Sequence, residues 1–398
     1  MNREDFPMLK KDLIYFDNGA TTLKPQCVID SMVDYYSNYS ANAHRGDYDI
    51  SLKVDTAYEQ VREKVKNFIH CKSKNEIIFT KGATESLNMV VFGYMKHRLK
   101  KDDEVLLTKA EHASNVLPWQ ELEKEIGIHI RYIPLNEDHT LTLENVKKMV
   151  TPKTKVISIA HITNVVGDIR PLEEIGQLCQ EKHILLVVDG AQSVAHLPMD
   201  VEKYHIDFLA FSAHKMLGPT GVGVLYGKYE LLENMKPLQF GGGMNSFFES
   251  DGTLEYKGIP TRFEAGTPPI AEVIGLGAAI DYLQGIGMER IHQYEQELKK
   301  YAIQELEKIP NITIYNKHST GGIVAFNIDD VFSQDAALYL NHYHICVRAG
   351  NHCAKILKDE LKIKNTCRIS FYLYNTKEEI DRLVQVLKQS KDIFKIVL

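Results

Sequence analysis

Three short segments of this 398-residue chain place reactive or charged side chains directly after an apolar run. In the first, Lys215 follows the run 208–212. A lysine drawn into a pocket after a buried strand loses its proton more easily, so it can act as a nucleophile and form an imine with an aldehyde. Ser212 and His214 add hydrogen-bonding groups, and the glycines of 218–221 allow close backbone approach. A lone lysine at such a place would reach back to solvent instead.

The second segment ends at Asp189, after the apolar run 184–188. A carboxylate there could keep the ring nitrogen of pyridoxal phosphate (PLP) protonated, and that charge lets the ring accept electrons from a substrate carbanion. The alternative is that Asp189 only caps the following helix, and for a lone aspartate this alternative would be favoured.

The third segment follows the apolar run 77–79 and contains Gly82, Ala83 and Thr84. A glycine leading into a helix start, with free backbone N–H groups, suits a phosphate. Thr84 and Glu85 could equally form only a helix cap. The order of this segment relative to the other two favours a PLP site.

The elements that must position these residues alternate between short apolar runs and amphipathic stretches, as in a mainly parallel sheet covered by helices on both faces. Such a sheet binds ligands beyond the C-terminal ends of its strands. A complete dinucleotide-binding GxGxxG motif is missing from the sequence, which disfavours that alternative. The predicted strands are 76–80, 104–108, 129–135, 156–161, 184–189, 208–212 and 222–226.

A second, smaller α/β unit is predicted after the Gly- and Pro-bearing region 237–269. It follows a helix predicted over 270–301 and ends in a helix with one apolar face. Its predicted strands are 323–328, 345–348 and 368–371. We expect an N-terminal segment (1–15) that packs with the small domain, a large PLP-binding domain (16–285) and a small C-terminal domain (286–398).

Composition narrows the function classes. A formal charge of −6 gives no basic field for nucleic acid, and no apolar run approaches the length of a bilayer, so neither nucleic acid nor a membrane is an expected partner. The N-terminus lacks the pattern of a secretory signal, which predicts a cytoplasmic protein. Six cysteines occur without any CxxC pair, so no metal site is predicted, and most should be small core residues.

Together the segments resemble the class V aminotransferase branch of fold-type I PLP enzymes, and within it the SufS-type (group II) cysteine desulfurases. The resemblance covers nearly the whole chain. It lies in the segments 15–22, 44–46, 82–85, 111–115, 189–193, 212–215, 262–268 and 348–354.

The resemblance implies a role for each matching residue. Lys215 would carry PLP, Asp189 would hold its ring nitrogen, and His112 would stack on the ring and assist proton transfer. The remaining cofactor contacts would come from Gln192 and Asn164 near the phenolic oxygen, from Ala83, Thr84, Ser212 and His214 at the phosphate, and from Thr267 of the other subunit of a homodimer. Arg368 would clamp the substrate carboxylate, with Arg348, His44 and Asn164 also at the substrate.

Cys353 is the residue that would make such an enzyme a desulfurase, because its thiolate would attack the sulfur of PLP-bound L-cysteine and leave a persulfide. We expect it on a loop, with Arg348, His352 and Lys355 favouring the thiolate. Cys346, inside an apolar run, fits a buried core residue better. Two residues depart from the family pattern: Asn351 replaces a histidine, and Ile356 replaces a proline.

The resemblance therefore implies a cysteine desulfurase that supplies sulfur to an acceptor or scaffold protein for iron–sulfur cluster assembly. A selenocysteine lyase, or another class V PLP lyase or aminotransferase, is the nearest alternative, since one fold supports many chemistries. A binding partner without catalysis is disfavoured, because the lysine, aspartate and arginine positions are all filled.

Overall fold

A computed structural model describes the backbone of residues 2–43 and 46–397, and side chains as far as residue 389. The α-helices are α1 (Gln26–Asn38), α2 (Asp49–Phe68), α3 (Ala83–Asn88), α4 (Leu117–Ile126), α5 (Leu143–Met149), α6 (Leu172–Lys182), α7 (Tyr229–Glu233), α8 (Ile270–Ile286), α9 (Met288–Leu306), α10 (Ser333–His342), α11 (Lys355–Glu360) and α12 (Lys377–Val397). The strands are β1 (Ile14–Tyr15), β2 (Ile77–Thr80), β3 (Glu104–Thr108), β4 (His129–Ile133), β5 (Thr154–Ala160), β6 (Leu185–Asp189), β7 (Phe208–Ser212), β8 (Gly223–Gly227), β9 (Asn245–Phe248), β10 (Leu254–Tyr256), β11 (Ile312–Ile314), β12 (Ile323–Ile328), β13 (Ile345–Cys346), β14 (Arg348–Gly350) and β15 (Thr366–Ser370).

Seven strands form one sheet in the order β2-β8-β7-β6-β5-β3-β4. Strands β7, β6, β5, β3 and β4 are parallel to one another, and β8 is antiparallel to both of its neighbours. The central strands are buried on both faces, which explains their continuous apolar runs. The predicted α/β fold with a mainly parallel seven-stranded sheet is confirmed.

Alternate residues of the strands pack into different cores on the two faces of the sheet. Leu106 and Val188 belong to the core covered by α1, α2, α6 and α8, whereas Val105 and Val187 belong to the core on the other face. This alternation follows from the two-residue period of a strand. Helices therefore enclose the sheet and leave its strand ends to form a site.

The second sheet has the order β11-β12-β15-β14 and contributes to a separate apolar core. The single strand predicted over 345–348 is wrong: β13 pairs with β1, while β14 pairs with β15, and Val347 separates the two short strands. Strand β1 brings the N-terminal segment to this part of the chain. We propose the domain division 1–15, 16–285 and 286–398 on the basis of these separate sheets.

The single helix predicted over 270–301 is also wrong. Helices α8 and α9 meet at an angle of 76°, and Gly287 between them has a φ of 94°, in the left-handed region that favours glycine. Ten of the 17 residues of α8 are buried, whereas α9 buries seven of its 19 residues and exposes one face. Among the described residues, no single helix is both long and apolar enough to cross a bilayer. Only the bent pair α8 and α9, taken together, reaches the required length and apolar content.

Candidate active site

A cavity of about 410 Å³ lies beyond the C-terminal ends of β5, β6 and β7. This is the place where a doubly wound sheet binds its ligands, and the volume suits a small molecule. Of the predicted site residues that the structure describes, all except Thr267 line this cavity: Ala83, Thr84, His112, Asn164, Asp189, Gln192, Ser212, His214, Lys215, Arg348, Cys353 and Arg368.

Two further predicted site residues are His44 and Thr267. His44 lies outside the described residues. Thr267 lines a separate, smaller cavity beside Tyr58 and Glu264, and its Oγ1 lies 3.5 Å from Asn42 Nδ2. Thr267 was predicted to contact the cofactor of a second subunit. Its place outside the cavity of its own chain is compatible with that prediction, which stays a proposal.

Lys215 ends the short turn that follows β7 and reaches into the cavity. Desolvation lowers the pKa of its amine from 10.5 to about 8, although the nearby Asp189 carboxylate acts in the opposite direction. At pH 7 about a tenth of such a lysine is the free amine, against about one part in three thousand at the ordinary pKa. The cavity therefore supplies a nucleophilic amine near neutral pH.

The lowered pKa of Lys215 predicts how the apoprotein will take up PLP. Because only the free amine attacks an aldehyde, the rate of covalent uptake should rise with pH up to about 8 and then level off. Stopped-flow absorbance of apoprotein mixed with PLP over pH 6 to about 10.5 would measure this midpoint. A rate that keeps rising to the ordinary lysine pKa would contradict the prediction.

Asp189 ends β6 and is buried in the cavity wall, where its Oδ1 accepts a hydrogen bond from Ala191 N–H at 3.0 Å. Burial raises the pKa of its carboxyl, so a cation beside it would be stabilising. Gln192 is also buried and donates from Nε2 to Gly19 O at 2.8 Å. Gly19 lines the cavity as well, a contribution that the sequence analysis did not assign.

A cradle for an anion lies where α3 begins, next to the end of β7. Ser212 Oγ accepts from Ala83 N–H at 2.8 Å, and Thr84 Oγ1 lies 2.8 Å from Ser114 Oγ. A Cβ at Gly82 would lie only 3.2 Å from Ser212 Oγ, so a glycine here lets the two segments of the cradle lie close together. His214 lines the same cavity, and burial lowers its pKa to about 4, which leaves it a neutral hydrogen-bonding group.

His112 is held in a defined tautomer. The Ser114 backbone N–H, which can only donate, lies 3.1 Å from His112 Nδ1, so the proton of the neutral ring is on Nε2. Burial, with help from Lys215 and Arg368, lowers the pKa of His112 to about 4. The ring is therefore neutral and presents an N–H from its other edge.

Behind His112, a buried ion pair joins Glu111 to Arg170, and neither side chain has any exposure. Glu111 Oε2 also accepts from Ala160 N–H at 2.7 Å, while Arg170 Nη2 donates to Thr108 Oγ1 at 2.6 Å. These bonds join β3 to β5 and fix the backbone that precedes His112.

Replacing Arg170 by methionine would leave the Glu111 carboxylate buried without its cation. We expect the free energy of unfolding to fall by about 3–5 kcal/mol, measured by urea denaturation. Arg131→Met is the matched control, because Arg131 pairs with Glu104 at 3.0 Å with the two side chains 34% and 13% exposed. That variant should lose no more than about 1 kcal/mol. Equal losses in the two variants would contradict the expectation.

Asp17 joins the two predicted substrate arginines and was missed by the sequence analysis. Its Oδ1 lies 3.3 Å from Arg368 Nη2, and its Oδ2 lies 3.3 Å from Arg348 Nε. The two arginines face each other directly in the β14–β15 pair, an arrangement that is destabilising without an intervening negative charge. Arg368 Nη1 also donates to Asn164 O at 2.8 Å, so the guanidinium is fixed on two sides. The only sequence signal for Asp17 was its place in the segment 15–22.

Replacing Asp17 by asparagine should therefore disturb both arginines. We expect the free energy of unfolding to fall by about 1 kcal/mol, because two like charges then oppose each other. The KM for a carboxylate substrate should rise, because Arg368 loses an orienting partner. Urea denaturation and steady-state kinetics would measure the two effects, with Asp12→Asn, an exposed aspartate of the N-terminal segment 1–15, as control. An unchanged KM would contradict the role of Asp17.

Cys353 is exposed and lines the cavity from a loop whose backbone is tightly held. His352 and Cys353 both have a φ of 55°, in the left-handed region. Ala113 N–H donates to Cys353 O at 2.8 Å, and Asn164 Nδ2 donates to His352 O at 2.7 Å. Asn351 Oδ1 accepts from Cys353 N–H at 3.1 Å, so this departure from the family pattern makes a contact of its own.

The predicted surroundings of Cys353 need correction. Burial, reinforced by Arg368, lowers the pKa of His352 to about 2, so its ring is neutral. Lys355 points away to an exposed ion pair with Asp359. Of the three groups expected to favour the thiolate, only Arg348 is both cationic and part of the cavity wall. Cys346 was expected to be buried but is half-buried, unlike the buried Cys71, Cys179 and Cys367.

The cavity residues fit PLP. Asp189 offers a buried carboxylate for a positively charged ring nitrogen, Lys215 offers an amine, and the cradle at Ala83 and Thr84 offers hydrogen bonds for a phosphate. Asn164 Oδ1 and Arg368 Nε are buried with no hydrogen-bond partner among the described residues, so the wall retains polar atoms for a ligand.

Comparison with known proteins agrees with this geometry. The model of the aminotransferase class V family matches residues 14–383. The chain is 45% identical over 395 residues to a probable cysteine desulfurase of Halalkalibacterium halodurans, covering 98% of this chain and 97% of the relative. It is 43% identical to a probable cysteine desulfurase of Staphylococcus aureus, covering 98% and 96%.

Solved structures give the same result. A cysteine desulfurase of Thermococcus onnurineus has a TM-score of 0.94 at 38% identity, covering 97% of this chain and 96% of that one. The cysteine desulfurase CsdA of Escherichia coli has a TM-score of 0.92 at 35% identity, covering 98% of each chain.

This chain belongs to the class V aminotransferase family of PLP-dependent enzymes. The predicted fold family and the predicted cofactor are thereby confirmed, and the relatives named above are all named as cysteine desulfurases or probable cysteine desulfurases, as the resemblance in the sequence indicated.

Proposed function

We propose that this enzyme is a cysteine desulfurase that converts L-cysteine into L-alanine and leaves the sulfur as a persulfide on Cys353. The observation that carries the proposal is that Cys353 and Lys215 line the same cavity, so a thiol and a cofactor-binding amine face one bound molecule. The names of the relatives, at up to 45% identity, support the same reaction.

Arg368 would bind the carboxylate of the substrate. Its guanidinium lies in the cavity wall, and its side chain is only 4% exposed, so the carboxylate would bind largely shielded from water. Asn164 and Asp17 hold the guanidinium from two sides, which reduces the reorganisation needed on binding.

PLP, when bound, supplies a positively charged ring that accepts the electron pair released at the substrate's α-carbon. Asp189 would keep that ring nitrogen protonated. Lys215 Nζ would hold the cofactor covalently, and its amine, with a pKa of about 8, can both accept and return a proton near neutral pH. His112, neutral and with its proton on Nε2, would supply a hydrogen bond beside the reacting atoms.

Cys353 would perform the sulfur transfer. Its thiolate sulfur forms a bond to the substrate sulfur while the bond between that sulfur and Cβ breaks. The electron pair of the broken bond stays with carbon, and Cβ takes up a proton to become the methyl group of alanine. The carbon is reduced as sulfur is oxidised to the persulfide level, so no outside oxidant is needed.

The proposal is tested by product analysis. Holoenzyme incubated with L-cysteine and a reducing thiol should release alanine and sulfide in equal amounts. Mass spectrometry of protein alkylated without reductant should show that the peptide containing Cys353 has gained the mass of one sulfur atom. Alanine without that addition would favour a lyase of the same family, and a strong preference for L-selenocysteine would point to a selenocysteine lyase.

Delivery to a protein acceptor, for use in iron–sulfur cluster assembly, is part of the proposal. The exposure of Cys353 supports it, because a persulfide there can be reached from outside. We also propose a cytoplasmic homodimer in which Thr267 serves the partner's cofactor phosphate. Light scattering should then give twice the chain mass of 45.4 kDa, and Thr267→Val in the dimer should weaken PLP retention.

A further inference from the structure

Lys358 is a buried lysine beneath the loop that carries Cys353. It lies on α11, its residue has no exposed surface, and its Nζ lies 2.6 Å from Thr366 Oγ1. Burial, followed by the charge of Arg368, lowers the pKa of Lys358 to about 8. Burying an amine costs free energy unless the amine is hydrogen-bonded, and the Thr366 hydroxyl supplies such a bond.

Thr366 connects Lys358 to the tip of the loop. It is the first residue of β15, is fully buried and pairs with Gly350 of β14. Its carbonyl oxygen lies 3.0 Å from His352 Nε2, and its Oγ1 lies 2.9 Å from the same nitrogen. Because a carbonyl only accepts, Nε2 carries the proton of the neutral imidazole. The side chains of Lys358 and His352 therefore converge on one threonine.

The tip of the loop needs such anchoring. Its two left-handed residues, His352 and Cys353, are not glycines, and this backbone conformation persists only where the surroundings impose it. Residue 356 in the first turn of α11 is isoleucine, so no proline ring fixes the backbone at the start of this helix. Leu357 packs in an apolar cluster with Val165 and Val166, and the neighbouring Lys358 is buried with its Nζ against Thr366.

We propose that Lys358, acting through Thr366 and His352, is a positioning residue that holds Cys353 in place to attack the substrate sulfur. This inference rests on the proposed desulfurase function. It assigns Lys358 no contact with substrate or cofactor. The lysine and the threonine fix the histidine ring, and the histidine fixes the backbone conformation at Cys353.

The test separates substrate capture from sulfur transfer. Holoenzyme is mixed with L-cysteine; the cofactor absorbance reports capture, and alkylation followed by mass spectrometry of quenched samples reports persulfide on Cys353. The variants are Lys358→Met and the near-isosteric Thr366→Val, with Thr366→Ser as the conservative rescue. Lys355→Met, an exposed lysine of the same helix, is the matched control.

We expect the rate of persulfide formation to fall at least about tenfold in Lys358→Met and Thr366→Val, because small displacements of a nucleophile cost large factors in rate. Capture should stay within about twofold, and Thr366→Ser and Lys355→Met should resemble the wild type. Persulfide formation at the wild-type rate in Lys358→Met overturns the inference, even if Thr366→Val does not fold.

Failure of the proposed function would look different. If Cys353→Ser still releases sulfide and alanine at the wild-type rate, Cys353 does not accept the sulfur. The proposed function is then wrong, and Lys358 has no nucleophile to position. If Cys353→Ser is inactive while both loop variants transfer sulfur normally, the function stands and only the role of Lys358 is wrong.

Discussion

Lys215→Ala will form no covalent link to PLP, and its turnover of L-cysteine will fall by about 10²–10⁴-fold or more. A factor of about 10²–10⁴ is the usual contribution of one positioned acid–base group, and the variant also lacks the nucleophilic amine. The cavity keeps Asp189, Gln192 and the anion cradle, so PLP should still bind, but reversibly. Alanine formation measures turnover, and the absorbance of the dialysed protein measures cofactor retention.

Borohydride reduction identifies the residue directly. In the wild-type holoenzyme, it should fix the cofactor to the peptide that contains Lys215, whereas Lys215→Ala should carry no label. Lys182→Ala, a change at an exposed lysine at the end of α6, should keep both label and turnover. Labelling of another peptide in the wild type would remove the basis for assigning Lys215, Asp189 and the cavity to the cofactor.

The residues whose place at one cavity could be predicted from the sequence are those whose positions depend on local pattern and sheet topology. Asp189 and Lys215 each follow a buried run, and parallel strands bring their C-terminal ends to one edge of the sheet. Given the strands, the meeting of these side chains in one cavity follows without knowledge of any loop conformation.

The features that sequence reasoning missed depend on contacts between distant segments. Asp17 reaches Arg348 and Arg368 because β1 pairs with β13 and Asp17 itself bridges Ser370 of β15, and the apolar pattern reveals neither pairing. The charge of His352 was misjudged for a related reason: a histidine next to cysteine looks titratable, but burial, reinforced by the charges of Arg368 and Lys358, lowers its pKa and keeps the ring neutral. The bend at Gly287 did leave a local signal, the glycines at 285 and 287 within the predicted helix.

Cys353→Ser should retain PLP and capture L-cysteine, yet form no persulfide and release no sulfide by sulfur transfer. A hydroxyl has a far higher pKa than a thiol and does not form a stable analogue of a persulfide under these conditions, so the reaction should stop with the substrate's Cβ–S bond intact. The side chain is exposed and nearly isosteric, so stability should change little.

Two controls make the Cys353→Ser result specific to sulfur transfer. Cys27→Ser changes another exposed cysteine in the same way and should leave persulfide formation unchanged. The absorbance change on adding L-cysteine should be the same in Cys353→Ser as in the wild type, because Arg368 and Lys215 are untouched. A loss of that absorbance change would mean that the serine damaged capture, whereas full alanine and sulfide release would mean that sulfur leaves without Cys353. Only a variant that captures L-cysteine but releases neither alanine nor sulfide assigns sulfur transfer to the Cys353 thiol. That result would also distinguish a desulfurase from the other enzymes that this cavity could support.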